Sequence, residues 1–217
     1  MPVYQPAIYL LWDDSHIWGL LAARAVMAMG LPHKLVRASE IADGLLTGTP
    51  PSLLLVPGGN ARHKAQSLGS QGIGEIRNYV GNGGKYLGFC GGAGPALTWG
   101  ENSGGPAGLG LCPWKRARFE ERVQHFMSGH LHVALPERKA GIRSLLPDGM
   151  PESPPLPVWW PGRFDARAHP GITVMASYER PADDFWLADL PIADLPPDTF
   201  ASWRDLYGLS FTPTFLA

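Results

Sequence analysis

The stretch Lys85-Tyr-Leu-Gly-Phe-Cys-Gly-Gly-Ala-Gly-Pro95 constrains this chain more than any other. It is a short apolar strand that runs into a cysteine and then into glycines. A thiol on a sharp strand-to-helix turn is lifted out of the sheet. Small neighbours on both sides let the backbone turn tightly and admit a substrate carbonyl. The pattern is a nucleophile elbow with Cys90 at its tip.

The residues before it supply the context such a turn needs. Leu53-Leu-Leu-Val56 reads as a buried strand that stops at Pro57-Gly58-Gly59-Asn60. In the segment 72–81, Ile73, Ile76 and Val80 recur at helical spacing. Strand, Gly-rich turn, helix and strand make one parallel crossover unit.

The first half repeats that grammar. Residues 7–12, Ala-Ile-Tyr-Leu-Leu-Trp, have no polar alternation, as expected of a strand covered on both faces. Asp13, Asp14 and Ser15 follow as helix-capping candidates. Trp18, Ala22, Ala25, Val26 and Met29 then predict an amphipathic helix over about 16–29, closed by Gly30. A second strand starts at His33. Alternating strands and helices over the first 97 residues predict an α/β fold with a doubly wound, mostly parallel, flavodoxin-like sheet. Ligands of such sheets bind beyond the carboxyl ends of the strands, where strand order reverses. That crevice would gather Asp13, Asp14 and His16 from the first strand end, Gly58, Gly59 and Asn60 from the third, and Cys90, Gly91 and Gly92 from the fourth.

Charge narrows the partners. With 18 basic and 19 acidic side chains among 217 residues and no long block of one sign, the chain lacks the electrostatic footprint of a nucleic-acid or anionic-membrane binder. The N-terminal apolar run has no basic flank and ends at Asp13-Asp14, which matches neither a signal peptide nor a membrane span. Two cysteines in unlike surroundings make no disulfide framework, so a cytoplasmic setting is expected. The length suits one domain over 1–217, with a small-molecule ligand of unknown identity, no cofactor, and room for a homo-oligomer.

Residues 54–60 together with 72–74 and 83–94 resemble the N-terminal domain family of biotin-protein ligases, within the class I glutamine amidotransferase-like superfamily. The resemblance implies a doubly wound fold with an elbow cysteine. It does not imply biotin ligation, which belongs to a separate catalytic domain, and no Gly-Arg-Gly-Arg-type adenylate loop is present. In an acyl-transfer site the N–H of the residue after the nucleophile, Gly91, is one oxyanion donor. The resemblance places the second in the Pro57-Gly58-Gly59 turn, at Gly59. A helix starting near Gly92 would activate the thiol further through its dipole.

The base is the missing part. Class I amidotransferases complete the triad with a late His-x-Glu pair, and this sequence contains none. The polypeptide stops before that segment, the base comes from elsewhere, or the site has lost glutaminase chemistry. His16, just past the first strand, is the best-placed substitute. Asp13 and Asp14 are candidates to hydrogen-bond the thiol, as an acidic residue does in the peptidase-like branch, or to cap the first helix.

His130 and His132 share a strand face, but without a third ligand they read as a solvent-facing pair and no metal site is expected. Cys112 precedes Pro113, which has no N–H for an oxyanion, so it reads as packing. Trp159, Trp160 and Arg163 form an aromatic group with a guanidinium able to meet a carboxylate. In the second half, 122–127 and 130–135 read as a hairpin, 147–157 as a Pro-rich connection, and 158–164 and 172–178 as strands. Two functions remain: a non-catalytic ligand-binding or regulatory domain that keeps the elbow, or a thiol hydrolase or amidotransferase acting through Cys90.

Overall fold

The computed structural model describes residues 7–99, 108–115, 122–135, 149–159, 164 and 169–191, with the backbone alone at 122–128, 159 and 186–191. The chain divides into two compact units.

The first unit holds a parallel sheet of β1 (Ile8–Leu11), β2 (His33–Val36), β3 (Leu53–Val56) and β4 (Tyr86–Gly88) in the order β2-β1-β3-β4. The helices between them are α1 (His16–Ala28), α2 (Ala38–Ala42), α3 (Leu45–Gly48), α4 (Ala61–Gly81) and, after the elbow, α5 (Ala93–Ala96). The expected α/β, doubly wound arrangement is therefore present. The chain steps from β1 outward to β2, then crosses to β3 and β4, so strand order reverses between β1 and β3. The strand before Cys90, β4, ends the described order.

Register explains how the core divides. Leu10 aligns with Leu35 on β2 and with Leu55 on β3, and Leu55 aligns with Leu87 on β4. This row lies on one face, where Leu10 and Leu55 pack with Ile8, Ala23 and Val26 beneath α1. On the other face, Tyr9, Leu11, Leu54 and Val56 pack with Ile41, Leu46, Leu68, Ile73, Ile76 and Tyr79. Apolar residues at every position of β1 thus serve two cores.

Two helices differ from their expected form. Helix α1 buries Gly19, Ala23 and Val26, while Met29 beyond its end is 68% exposed. Its sequence is apolar nearly all round, so periodicity does not select a face. Small residues at 19 and 23 do, because they let the helix lie close to the sheet. A Cβ on Gly19 would stand 2.8 Å from Cβ of Ser15. Helix α4 begins eleven residues before the predicted segment 72–81. Gly69, at φ 61° and ψ −176°, breaks it into two helical runs, and the first run is mostly polar.

The second unit is antiparallel. Strand β5 (Arg122–Ala134) pairs with β6 (Pro155–Trp159), β7 (Ser177–Pro181) and β8 (Trp186–Pro191). The predicted hairpin over 122–135 is instead one continuous strand. Gly129 at its middle has φ 125°, beside a register shift against β8, so the glycine marks an irregularity rather than a turn. Residues 155–157, read as connection, are strand, whereas 172–176 are irregular. Among the described residues, no helix is long and apolar enough to cross a membrane.

Leu10 is fully buried at the centre of its row. Leu10→Ala should therefore cost about 2–5 kcal/mol of stability, read as a lower denaturant midpoint with unchanged slope.

Candidate functional site at the carboxyl edge of the parallel sheet

Cys90, an exposed residue, opens a 3₁₀ turn, Cys90–Gly92, one residue after β4. Its φ of 49° is a left-handed conformation that costs a residue with a Cβ about 1–3 kcal/mol, a strain held only where the surroundings enforce it. Two bonds enforce it here. The Gly92 N–H donates to the Phe89 carbonyl at 2.7 Å, and the Tyr86 hydroxyl donates to the Gly92 carbonyl at 2.5 Å.

Three loops meet at this edge through their backbones. A Cβ on Gly91 would fall on the Gly59 carbonyl, one on Gly92 on the Val56 carbonyl, and one on Gly59 on the Asp14 carbonyl. The ends of β1, β3 and β4 are thus stacked main chain against main chain, and glycine is the residue that permits it. Gly59 itself sits at φ 124°. Gly58 answers to a different neighbour, since a Cβ there would stand 2.8 Å from Cγ of Trp18. Among the described residues, no hydrogen bond from the Gly59 or Gly91 N–H to another loop's backbone is formed.

The acidic residues after β1 are engaged elsewhere than on the thiol. Asp13 pairs with Arg37, with Nη2 to Oδ1 at 2.7 Å, and accepts the Ala38 N–H at 2.6 Å, so it secures the start of α2 rather than capping α1. Asp14 accepts from the Ser67 hydroxyl at 2.6 Å and has φ 52°. Ser15 occupies the N-cap position of α1, but its hydroxyl turns back to the Leu11 carbonyl at 2.9 Å. Asn60 spends its side-chain oxygen on the N–H groups of Arg62 and His63, at 2.9 and 3.2 Å, as the cap of α4.

His16 is exposed at the first position of α1, with φ 47°. Among the described residues, no imidazole makes a hydrogen bond to Cys90 Sγ. The one-turn length of α5 also leaves little dipole to act on the thiol. His130 contacts Asp184 (Nδ1 to Oδ2, 2.7 Å), which holds that carboxyl below its ordinary range. The ring of His132 lies 3.0 Å from the Ser153 carbonyl. No metal-binding group of three occurs among the described residues. Cys112 is half-buried and bridges to Leu97, with its N–H on the Ala96 carbonyl at 2.8 Å. Trp160 and Arg163 lie outside the described residues, as does the side chain of Trp159.

One residue at this edge was not anticipated. Lys64, in the first turns of α4, is fully buried, and its Nζ donates to the Ser15 hydroxyl at 2.7 Å and to the Asp13 carbonyl at 3.0 Å. Burial pushes its ammonium down to about 8, against the pull of Asp14, Asp13 and Cys90, which favour the charged form. In sequence it belongs to the run Arg62-His63-Lys64, which looks like a solvated helix start. The signal that marks it is spacing. Lys64, Leu68, Gly72 and Ile76 follow one another every four residues along the buried side of α4.

Residues 47–96 match the model of the family described as "Biotin-protein ligase, N terminal". The resemblance read from the sequence is borne out over that segment. Among solved structures, the chain is similar to a glutamine amidotransferase with a TM-score of 0.54 and 18% identity, covering 94% of this chain and 100% of that one. A glutamine amidotransferase from Thermotoga maritima aligns at 0.49 and 13% identity, over 98% and 89% of the two chains. A putative peptidase E from Listeria monocytogenes aligns at 0.42 and 18% identity, over 52% of this chain and 66% of its own. No curated protein matches the chain. At 18% identity, the likeness to the first of these establishes the fold alone, a glutamine amidotransferase-like α/β fold.

Two outcomes follow from this geometry. Gly91→Ala should cost about 3 kcal/mol or more, since backbone blocks the new methyl. Gly74→Ala, in α4 with open space around it, should instead stabilise by about 0.5–1 kcal/mol. Paired denaturant melts check both. The second outcome concerns pH. Below about pH 8 Lys64 is protonated in both the folded and the unfolded chain, and its burial cost is fully present. Between about 8 and its ordinary 10.5 the unfolded chain holds the proton and the folded one does not, so stability rises with pH. Wild type should gain relative to Lys64→Met across that window, and unfolding free energies at stepped pH read it directly.

Proposed function

We propose that this chain carries a non-catalytic, amidotransferase-like ligand-binding or regulatory module whose ligand sits at the Cys90 elbow. The observation that carries this reading is that no described imidazole reaches the Cys90 thiol. Without a base the thiol is not converted to a thiolate at the moment of attack. Asp13, Asp14 and Asn60 are spent on Arg37, Ser67 and the cap of α4, so none of them substitutes. The N–H groups of Gly59 and Gly91, on adjoining loops, are the donors this reading assigns to a small ligand with a carbonyl or carboxylate oxygen. Two free thiols agree with a cytoplasmic setting.

A second reading has its own support. The left-handed Cys90 backbone on a turn after a parallel strand is the placement a thiol hydrolase or amidotransferase gives its nucleophile. The two readings part on turnover. A glutaminase assay with Cys90→Ala as the blank should show no Cys90-dependent hydrolysis, because loss of the triad base leaves only about 10³–10⁴ over the uncatalysed rate. Turnover on the order of 1 per second that vanished in Cys90→Ala would replace the first reading with the second.

A further inference from the structure

We propose that the outward face of α1 is the interface through which two copies of this chain pair about a twofold axis. This goes beyond the reading above, since it holds whatever the chemistry at Cys90.

The two long helices of the first unit meet solvent differently. On α4, from Arg62 to Asn78, every exposed side chain is polar or charged. On α1 the order is inverted. Only His16 and Arg24 are polar among its exposed residues. Ile17, Leu20, Leu21, Arg24 and Ala28 recur at i, i+3, i+4, i+7 and i+11, so they share the side turned away from Gly19, Ala23 and Val26, which meet the sheet. Met27 stands at the margin of that side, and Met29 and Leu31 carry the apolar surface past the helix end. The large apolar residues of this surface are between 42% and 68% exposed.

Area and charge select the occupant. Together these residues present on the order of 600 Å² of apolar surface, at the top of the range for a monomer's largest apolar patch and close to the roughly 800 Å² that each partner of a standard interface buries. A helix that lies on a lipid surface flanks its apolar face with several Lys or Arg, and α1 has Arg24 alone. A highly charged partner would find no second charge to pair with. A second α1 is apolar where this one is apolar. Antiparallel pairing that crosses at Leu20 and Leu21 sets these leucines against their own counterparts. The two Arg24 then lie one turn to either side of the crossing, about 10 Å apart along the helix axis. Their stems cover the rim of the contact and their guanidinium groups reach water.

Analytical ultracentrifugation of the 217-residue chain tests the interface. Between about 1 and 100 µM the wild type should pass from the mass of one chain to that of two, as a micromolar dissociation constant requires. Leu21→Glu brings two carboxylates to the axis and should weaken pairing by about tenfold or more. Ser70→Glu, on the polar face of α4, should leave it unchanged. Leu21 is exposed, so the variant should keep the wild-type circular dichroism and melting temperature. If Leu21→Glu does not fold, Leu21→Gln takes its place. The twofold axis makes a further demand. Leu21→Glu mixed with Leu21→Lys should recover the two-chain mass that neither variant reaches alone, because each residue faces its own counterpart. A wild type that keeps the mass of one chain at about 100 µM overturns the proposal, whatever else covers the face. So does a dimer that the Leu21 variants leave intact, or a mixture that stays monomeric. A glutaminase result of either sign leaves these masses as they are, so the two readings fail independently.

Discussion

The contact of Gly91 with the Gly59 carbonyl is the constraint on which the site depends. Main chain meets main chain with no room for a side-chain atom, and this sets where Cys90 stands relative to the end of β3. The same packing recurs between Gly92 and Val56 and between Gly59 and Asp14, so the three strand ends form one rigid stack. Close packing of this kind transmits strain rather than absorbing it. That is why Cys90, with a Cβ, is held at φ 49° instead of relaxing.

The stack is built at the place where the sheet reverses direction. Chain crossing from β2 to β3 sends the connections after β1 and β3 to opposite faces, while the loops themselves meet where Gly59 abuts the Asp14 carbonyl. Most of the polar side chains in these loops are committed to holding the fold. Asp13 fixes α2, Asn60 caps α4 and Ser15 turns back on β1. Lys64 is the exception in kind. It is a full charge taken out of water, and such a group destabilises the fold unless its bonds and neighbours compensate. Its bonds to the Asp13 carbonyl and the Ser15 hydroxyl supply that compensation.

The second unit follows different physics. Strand β5 is long enough to pair with β6, β7 and β8, with register shifts between His125 and Ser128 and between His132 and Val133. Pairing of this kind is non-local. Residues 155–157 read as a connection because two prolines stand among them. A proline lacks only its N–H, however, and a strand tolerates that where the ladder does not call on it.

Local physics made much of the first unit legible in sequence. Unbroken apolar runs at 8–11 and 53–56 specify strands buried on both faces, because no other short element hides every side chain. The glycines at 58, 59, 91 and 92 announced a tight turn, because only glycine allows such an approach of backbones. Cys90 at the tip followed from the same residues. Tertiary structure alone decided which face α1 buries, since an all-apolar helix has no preferred side until small residues meet the sheet. It also decided the roles of Asp13, Asp14 and Asn60, whose carboxyl and amide oxygens find their donors only after folding. Lys64 is the clearest case. A lysine in a polar helix start is assigned to solvent by its chemistry, and only the arrival of the β1 loop on α4 makes burial the lower free energy.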